Sequence, residues 1–481
     1  MQRFLQHKWA WISMLLFLLL NSVLIVNEFY WLSLLPFVLL IGTLFFLALD
    51  KLLLAMVFFT PLSINITEYI DSPIGMFLPT EPVLFAVLLL FIVRFVFLES
   101  LSKEILRHPI TWVIIAQLSW MAFTTVTSFD VLVSFKYLLA RLWFVVSFYF
   151  LGIRLFQEKK RLIQFVWAYV FGMILVIGYT LANHAGYNFA HGPAHWVMSP
   201  FFNDHTSYGA LLVFFFPLLV GFLFFKGKKV QYKWGVSLII VLFTIATVLS
   251  YTRAAWLGLI GAGMVWACIY FKIRFRVLLM AGVALLIAFF SLKDQVMMRM
   301  EKNSQDSSDD FAEHIQSMTN VSTDASNLER LNRWHAAFGL FAARPVLGWG
   351  PGTYQFVYAP FQDPNKKTVI STNGADKGNA HSEYIGPLAE QGVLGGLLML
   401  VLIAVVLTKG IKLYYKVEDR EVAIILLCMI LGLITYYVHG VLNNFLDTDK
   451  ASVPFWGFTA AIVAIDLYYK KKPTEIEEGK S

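Results

Sequence analysis

The chain is predicted to be all-α, a polytopic membrane bundle of about 12 to 14 transmembrane helices with one large extracytoplasmic loop that contains short helices. Three observations predict it. The 481 residues are 58% hydrophobic and 14% charged, against about a quarter charged in soluble proteins. Apolar runs of roughly 17 to 25 residues, each enough to cross a bilayer, recur along most of the length. A single long polar stretch, 294–384, interrupts them. Backbone polar groups cannot go unpaired in hydrocarbon, so runs this continuous suit helices rather than the short alternating strands of a barrel.

Taken in order, the expected spans are 9–27, 31–49, 52–64, 82–98, 110–127, 136–154, 162–182, 207–225, 235–250, 254–271, 276–292, 385–408, 422–441 and 453–469. The third is the weakest, being short and ended by Pro61. They divide the chain into an N-terminal bundle over 1–293, the loop at 294–384, and three C-terminal spans with a tail over 385–481. The first span follows Lys8 and shows no small-residue cleavage site, so it is expected to be retained. Cys268 and Cys428 both fall inside spans and read as small core residues without metal-ligand spacing.

Lysine and arginine separate the connections into two alternating sets. One carries Arg3 and Lys8, Lys51, Lys103 and Arg107, Arg154 to Arg161, Lys226 to Lys233, Lys272 to Arg276, Lys409 to Arg420, and Lys470 to Lys472. The other, 27–30, 65–81, 128–135, 183–206, 250–253 and 442–452, contains only Arg253 and Lys450 as basic residues. Basic loops stay on the cytoplasmic side, which puts both termini inside and the 294–384 loop outside. The formal charge of +7 therefore reports topology and gives no reason to expect a nucleic-acid partner.

On the outer side, Arg253 sits in Ser250-Tyr-Thr-Arg-Ala-Ala-Trp256 at a hairpin. It is either an interfacial anchor beside Trp256 or a fixed cation facing an anionic headgroup. In the large loop, the acidic Ser-rich stretch 306–313 lacks calcium-loop spacing and reads as solvated. Residues 326–341 follow as an amphipathic helix, with Trp334, Phe338 and Phe341 at helical spacing and Ser326 or Asn327 as its cap. Arg330 and Arg333, three apart, share a face of that helix. They form either a solvated charged face or two guanidinium forks able to grip a diphosphate. Arg344-Pro-Val-Leu-Gly348-Trp-Gly350-Pro-Gly352 then stops the helix in a tight glycine turn, a plain turn or a donor of backbone N–H groups to an anion.

The loop closes on His381 and Glu383, where the chain re-enters the membrane. A neutral imidazole can take a proton from a sugar hydroxyl, and the positive end of a helix helps to keep it neutral, so His381 suits a general base. Glu383 does not share the face of His381; it would orient that histidine from a frayed turn or bind an acceptor hydroxyl. Inside the spans, Lys136 and Arg141 lie near the outer end of their helix and would extend the cationic patch, although snorkelling explains Lys136 almost as well, whereas Arg94 lies near an inner end and snorkels. A rival cluster, His184, His191, His195 and His205, lies between outer spans. His191 and His195 have helical zinc spacing, but Gly192 and Pro193 between them argue against that helix. Residues 202–206 are expected to line the entrance to the site.

Together, Ser250-Tyr-Thr-Arg253-Ala-Ala-Trp-Leu-Gly258, Arg330 four residues before Trp334, Pro345-Val-Leu-Gly-Trp-Gly-Pro-Gly352, Ala380-His381-Ser-Glu-Tyr384 and Leu388-Ala-Glu-Gln-Gly-Val-Leu-Gly395 resemble the O-antigen ligase/polymerase superfamily, over about residues 200–445. The hairpin departs from the commonest pattern, with Tyr-Thr-Arg-Ala where many members have Ser-Arg-Gly or Ser-Arg-Thr. The resemblance implies a membrane glycosyltransferase needing no cofactor or metal, which moves a glycan from undecaprenyl diphosphate to an acceptor hydroxyl with inversion. The acceptor would be a glycan, a lipid A core or another hydroxyl compound. It further implies Arg253 and Arg330 as diphosphate ligands, His381 as the base, and a multi-pass protein among the lipids of a bacterial inner membrane with its site on the periplasmic face. Arg333 and Arg141 are added from helix geometry and position. The competing class is a transporter or flippase of lipid-linked sugars, which needs polar residues through the midplane and commonly internal repeats; neither is clear in the sequence.

Overall fold

A computed structural model describes residues 2–68, 75–97, 101–273, 325–364, 367, 371 and 378–470. The chain is built from helices: α1 (Gln2–Val26), α2 (Leu35–Leu47), α3 (Leu49–Phe59), α4 (Thr80–Phe97), α5 (Lys103–Arg107), α6 (Pro109–Val126) and α7 (Val131–Phe144). A π-helical turn, Val145–Phe150, carries α7 into α8 (Leu151–Leu155). Then come α9 (Lys159–Ala185), α10 (His205–Phe222), α11 (Val230–Leu249), α12 (Arg253–Tyr270), α13 (Ala325–Ala343), α14 (Tyr354–Val357), α15 (Ile385–Tyr414), α16 (Arg420–His439) and α17 (Asp449–Tyr468). A two-residue strand pair, Ile64–Asn65 against Phe77–Leu78, is antiparallel.

Ten helices among the described residues are long and apolar enough to cross a membrane, counting α7 to α8 as one, and α1 and α2 hold shorter apolar stretches. The expected span at 52–64 is instead the 11-residue α3, closed by a 3₁₀ turn at Thr60–Leu62. Pro61 supplies no N–H to continue the ladder. Leu52, Leu53, Met56 and Val57 are buried, and α9 comes so close that a Cβ on Gly172 would strike the Phe58 carbonyl. The expected span at 276–292, the acidic stretch 306–313, and Arg274 and Arg276 lie outside the described residues.

The innermost helices are α16 and α17, whose side chains are buried almost all round. Small residues let the neighbours approach them: Gly258 of α12 meets the Thr435 carbonyl, Gly221 of α10 meets Cys428, and Gly432 meets the Phe214 carbonyl. Apolar surface gives no net drive between helices in lipid, so such backbone contact carries the packing. Cys428 is thus the small core residue expected.

The two loop sets sort onto two networks of contacts. Lys159 pairs with Asp419 at 3.0 Å and Glu421 at 2.7 Å, Arg161 with Asp50, and His108 Nε2 lies 3.4 Å from Asp466, joining the basic set. In the other set, Phe129 N donates to the Trp349 carbonyl at 2.8 Å, Thr252 Oγ1 to the His205 carbonyl at 2.7 Å, and Arg330 Nε to the Leu442 carbonyl at 3.3 Å. Lys450, one of the two basic exceptions in this set, is a buried pin. Its Nζ donates to the Ser63 carbonyl at 2.7 Å and lies 3.4 Å from Asp449, whose other oxygen accepts the Thr80 hydroxyl at 2.6 Å.

Candidate active site

Helix α13 forms where 326–341 is expected, but its buried face differs from the aromatic stripe. Glu329, Asn332, Arg333, Ala336, Ala337 and Leu340 are buried, while Phe338 is half exposed. Ser326 and Asn327 lie inside the helix, which is described from Ala325 onward. The inward face is polar at one end because its charges are paired. Arg333 Nε donates to Glu329 Oε1 at 2.6 Å, its guanidinium lies 4.1 Å from the centre of the Tyr358 ring, and Tyr354 donates to the Arg333 carbonyl at 2.7 Å. Arg330, partly buried, reaches instead to the Leu442 carbonyl. Neither arginine belongs to a solvated face, although they diverge.

The glycine turn after α13 locks onto α15. Gly392 interrupts that helix with φ 69° and ψ −169°, a region open essentially to glycine alone. The break accepts the turn: Val393 N donates to the Pro345 carbonyl at 2.9 Å, Gly350 N to the Glu390 carbonyl at 2.7 Å, and Tyr354 N to Glu390 Oε1 at 3.0 Å. A Cβ on Gly348 would strike the backbone of Glu390, and one on Gly392 the carbonyl of Val346. The turn's N–H groups at 350 and 354 are therefore used within the protein, as in a plain docking turn.

His381 stands in the short segment that precedes α15. Its backbone adopts φ 47°, and its N–H donates to Asn379 Oδ1 at 3.0 Å. Two residues on, Glu383 fixes the segment: Oε1 accepts the Tyr436 hydroxyl at 2.6 Å, Phe445 N at 2.7 Å and Leu446 N at 2.9 Å, while Glu383 N donates to the Gly440 carbonyl at 2.8 Å. Glu383 is a strap between the His381 segment and the loop after α16. Burial lowers the His381 pKa to about 4, helped by the positive fields of Arg330 and Arg333 and opposed by Asp204 and Glu329. The imidazole is neutral at physiological pH, with both expected arginines within electrostatic reach.

Arg253 opens α12, partly buried, and its hairpin docks on the 183–206 loop. Thr252 bonds the His205 carbonyl, Tyr251 donates to the Phe189 carbonyl at 3.2 Å, and the Tyr251 ring sits 4.8 Å from that of His191. Through Asp204 this loop faces His381. Three of the four histidines form a row of edge-to-face ring contacts, His191 to His195 at 5.4 Å and His195 to His205 at 4.2 Å, while His184 turns to the Ala190 carbonyl at 2.8 Å. No group of three His, Cys, Asp or Glu among the described residues is placed to hold a metal ion.

With this arrangement in view, residues 238–400 match the family model of the O-antigen ligases. The segment is similar to the O-antigen ligases. It contains Arg253, Arg330, Arg333, His381 and Glu383, and it supports a membrane glycosyltransferase activity of the ligase or polymerase type. No curated protein matches the chain.

Against the matched segment lies a cavity of about 220 Å³ whose walls come partly from outside it. Its lining includes Tyr137 and Arg141 of α7, Tyr354 and Gln355, the residues on either side of His381, Glu390 and Gln391 of α15, Asn444 and Asp447, and Trp456 of α17. Arg141 donates to the Tyr137 hydroxyl at 3.0 Å. It faces Glu383, Glu390 and Asp447, whereas Lys136, expected beside it, is exposed. The Asp447 carboxyl is pushed up to about 7, first by the surrounding protein and then by Glu383, with Arg141 opposing. Glu390 and Asp447 were not singled out by the sequence. The signal for Glu390 was its place next to Gln391-Gly392 in the Leu388-Ala-Glu-Gln-Gly392 string; Asp447 offers none.

Proposed function

We propose that the chain transfers a glycan from undecaprenyl diphosphate to an acceptor hydroxyl on the periplasmic face of a bacterial inner membrane, as a ligase or a polymerase that uses neither metal nor cofactor. The observation that carries this reading is a neutral histidine, His381, held in the field of Arg330 and Arg333 within the matched segment. The alternating basic loops support the sidedness, with both termini cytoplasmic.

In the proposed reaction His381 takes the proton of the acceptor hydroxyl, whose oxygen attacks the anomeric carbon. The bond from that carbon to the diphosphate oxygen breaks, and the electron pair leaves with undecaprenyl diphosphate, so the configuration inverts. Arg253 and Arg330 face the departing charge, with Arg333 behind them. Preorganised contacts of this kind are worth about 3 to 4 kcal/mol each. Occupation of the arginines by an anion also removes the field that holds the His381 pKa down, so donor binding strengthens the base.

Deletion of the gene followed by inspection of surface glycans tests the reading. Loss of all attached glycan indicates a ligase, and a single attached repeat indicates a polymerase. Stalling of the lipid-linked precursor inside the cell indicates a flippase and overturns the proposal.

A further inference from the structure

The cavity behind the His381 segment differs chemically from the arginine side. Three carboxyl groups and one arginine line the cavity, where the other side gathers arginines, so it is the poorer seat for the diphosphate of a donor. The remaining walls include the rings of Tyr137, Tyr354 and Trp456 and the amides of Gln117, Gln391 and Asn444, surfaces on which sugars stack and bond, beside aliphatic side chains such as Met399 and Leu402. Gln391 is 3% exposed and its side-chain amide bonds to none of the described residues. The buried indole N–H of Trp456, on the same cavity, likewise has no partner among them. Buried polar groups are nearly always hydrogen-bonded, so two unsatisfied ones on one cavity mark places for hydroxyls brought by a ligand. The volume falls below the roughly 300 to 1,000 Å³ of pockets for drug-sized ligands, which suits a single ring.

We propose that this cavity is the acceptor subsite, taking one sugar ring that is neutral or amine-bearing and rejecting anionic ones. The proposal rests on the transferase reading above and names its acceptor class. Ala380 and Ser382 line the cavity on either side of His381, so the subsite adjoins the segment that carries the base. Asp447 is exposed to the cavity, and its carboxylate bonds to no other described residue, free to accept from the ring.

The test is saturation-transfer NMR on the full-length protein in lipid nanodiscs, with methyl glucoside, methyl glucosaminide and methyl glucuronide as probes and inorganic pyrophosphate as competitor. The glucoside and glucosaminide are expected to receive saturation and the glucuronide is not. Gln391→Leu and Asp447→Ala are each expected to weaken glucoside binding by about tenfold, and pyrophosphate leaves it in place. Absence of glycoside binding, equal binding of the glucuronide, unchanged affinity in both variants, or displacement by pyrophosphate each overturns the subsite. The wild-type comparison of glycosides decides the matter even where a variant fails to fold. Failure of the transferase reading shows separately, as glycan transfer that persists in His381→Ala.

Discussion

The two sides of the His381 segment are built from opposite charge but held by similar means. On one side Arg333 is strapped by Glu329 and Tyr358, with Arg330 beside it on the Leu442 carbonyl. On the other, Glu383 is strapped by Tyr436, Phe445 and Leu446, and Glu390 by Tyr354. The arginines of the basic side and their side-chain partners Glu329 and Tyr358 lie within the matched segment, with the Leu442 carbonyl from beyond it, whereas the acidic side draws Tyr137, Arg141, Asp447 and Trp456 from beyond it. The difference teaches a division of labour: in the proposed reaction the matched segment supplies the base and the seat for the leaving group, while the flanking helices shape the pocket opposite.

The sharpest way to break this comparison is at its centre. His381→Ala should lower glycan transfer by at least about 10²-fold at unchanged membrane abundance, measured with lipid-linked donor and purified protein. Next come the arginines. Arg330→Ala and Arg253→Ala should each cost about 10²- to 10³-fold in kcat, whereas Asp447→Ala should raise the KM for acceptor and leave that for donor unchanged. An equal rise in both KM values would dissolve the distinction between the sides.

Smaller effects act on the frame. Gly392→Ala places a side chain in a glycine-only backbone region and against the Val346 carbonyl, so thermal unfolding should show a loss of about 1 to 3 kcal/mol. Glu383→Ala strands the N–H groups of Phe445 and Leu446 and should cost a similar amount, about 1 to 3 kcal/mol, an outcome that a purely catalytic glutamate would not produce.

The last prediction concerns pH. The folded His381 pKa, about 4, lies below its ordinary 6.5, so between these values the folded state binds fewer protons than the unfolded one. Stability from this group is complete above 6.5 and is lost as pH falls through 4. The titration of His381, followed by NMR, should have its midpoint near 4 and move upward in Arg330→Gln, because a cation that opposed protonation is gone. Asp447→Asn should leave it in place.

Much of this was readable along the chain. Apolar length announced the helices, since hydrocarbon forces every backbone group into an internal bond, and the alternation of basic loops anticipated which connections would meet. His381, Arg253 and Arg330 were legible as polar residues in the strings that carry the family resemblance. The face of α13 was not. Trp334, Phe338 and Phe341 carry the helical period, yet the protein buries Glu329 and Arg333 instead, because an ion pair and Tyr358 offset the cost of desolvation that periodicity alone cannot weigh.

By itself, then, the sequence determined a helical membrane protein, the alternation of basic and non-basic loops and the strings that carry the likeness to the O-antigen ligases, all properties of local composition and spacing. Only the tertiary structure decided that Arg141 faces three carboxylates, that Glu383 is a strap, and that Gln391 and Trp456 share a cavity. Those meetings join residues far apart in the chain. They depend on how helices pack through small residues and on which loop carbonyls remain to accept a hydrogen bond, neither of which leaves a periodic trace.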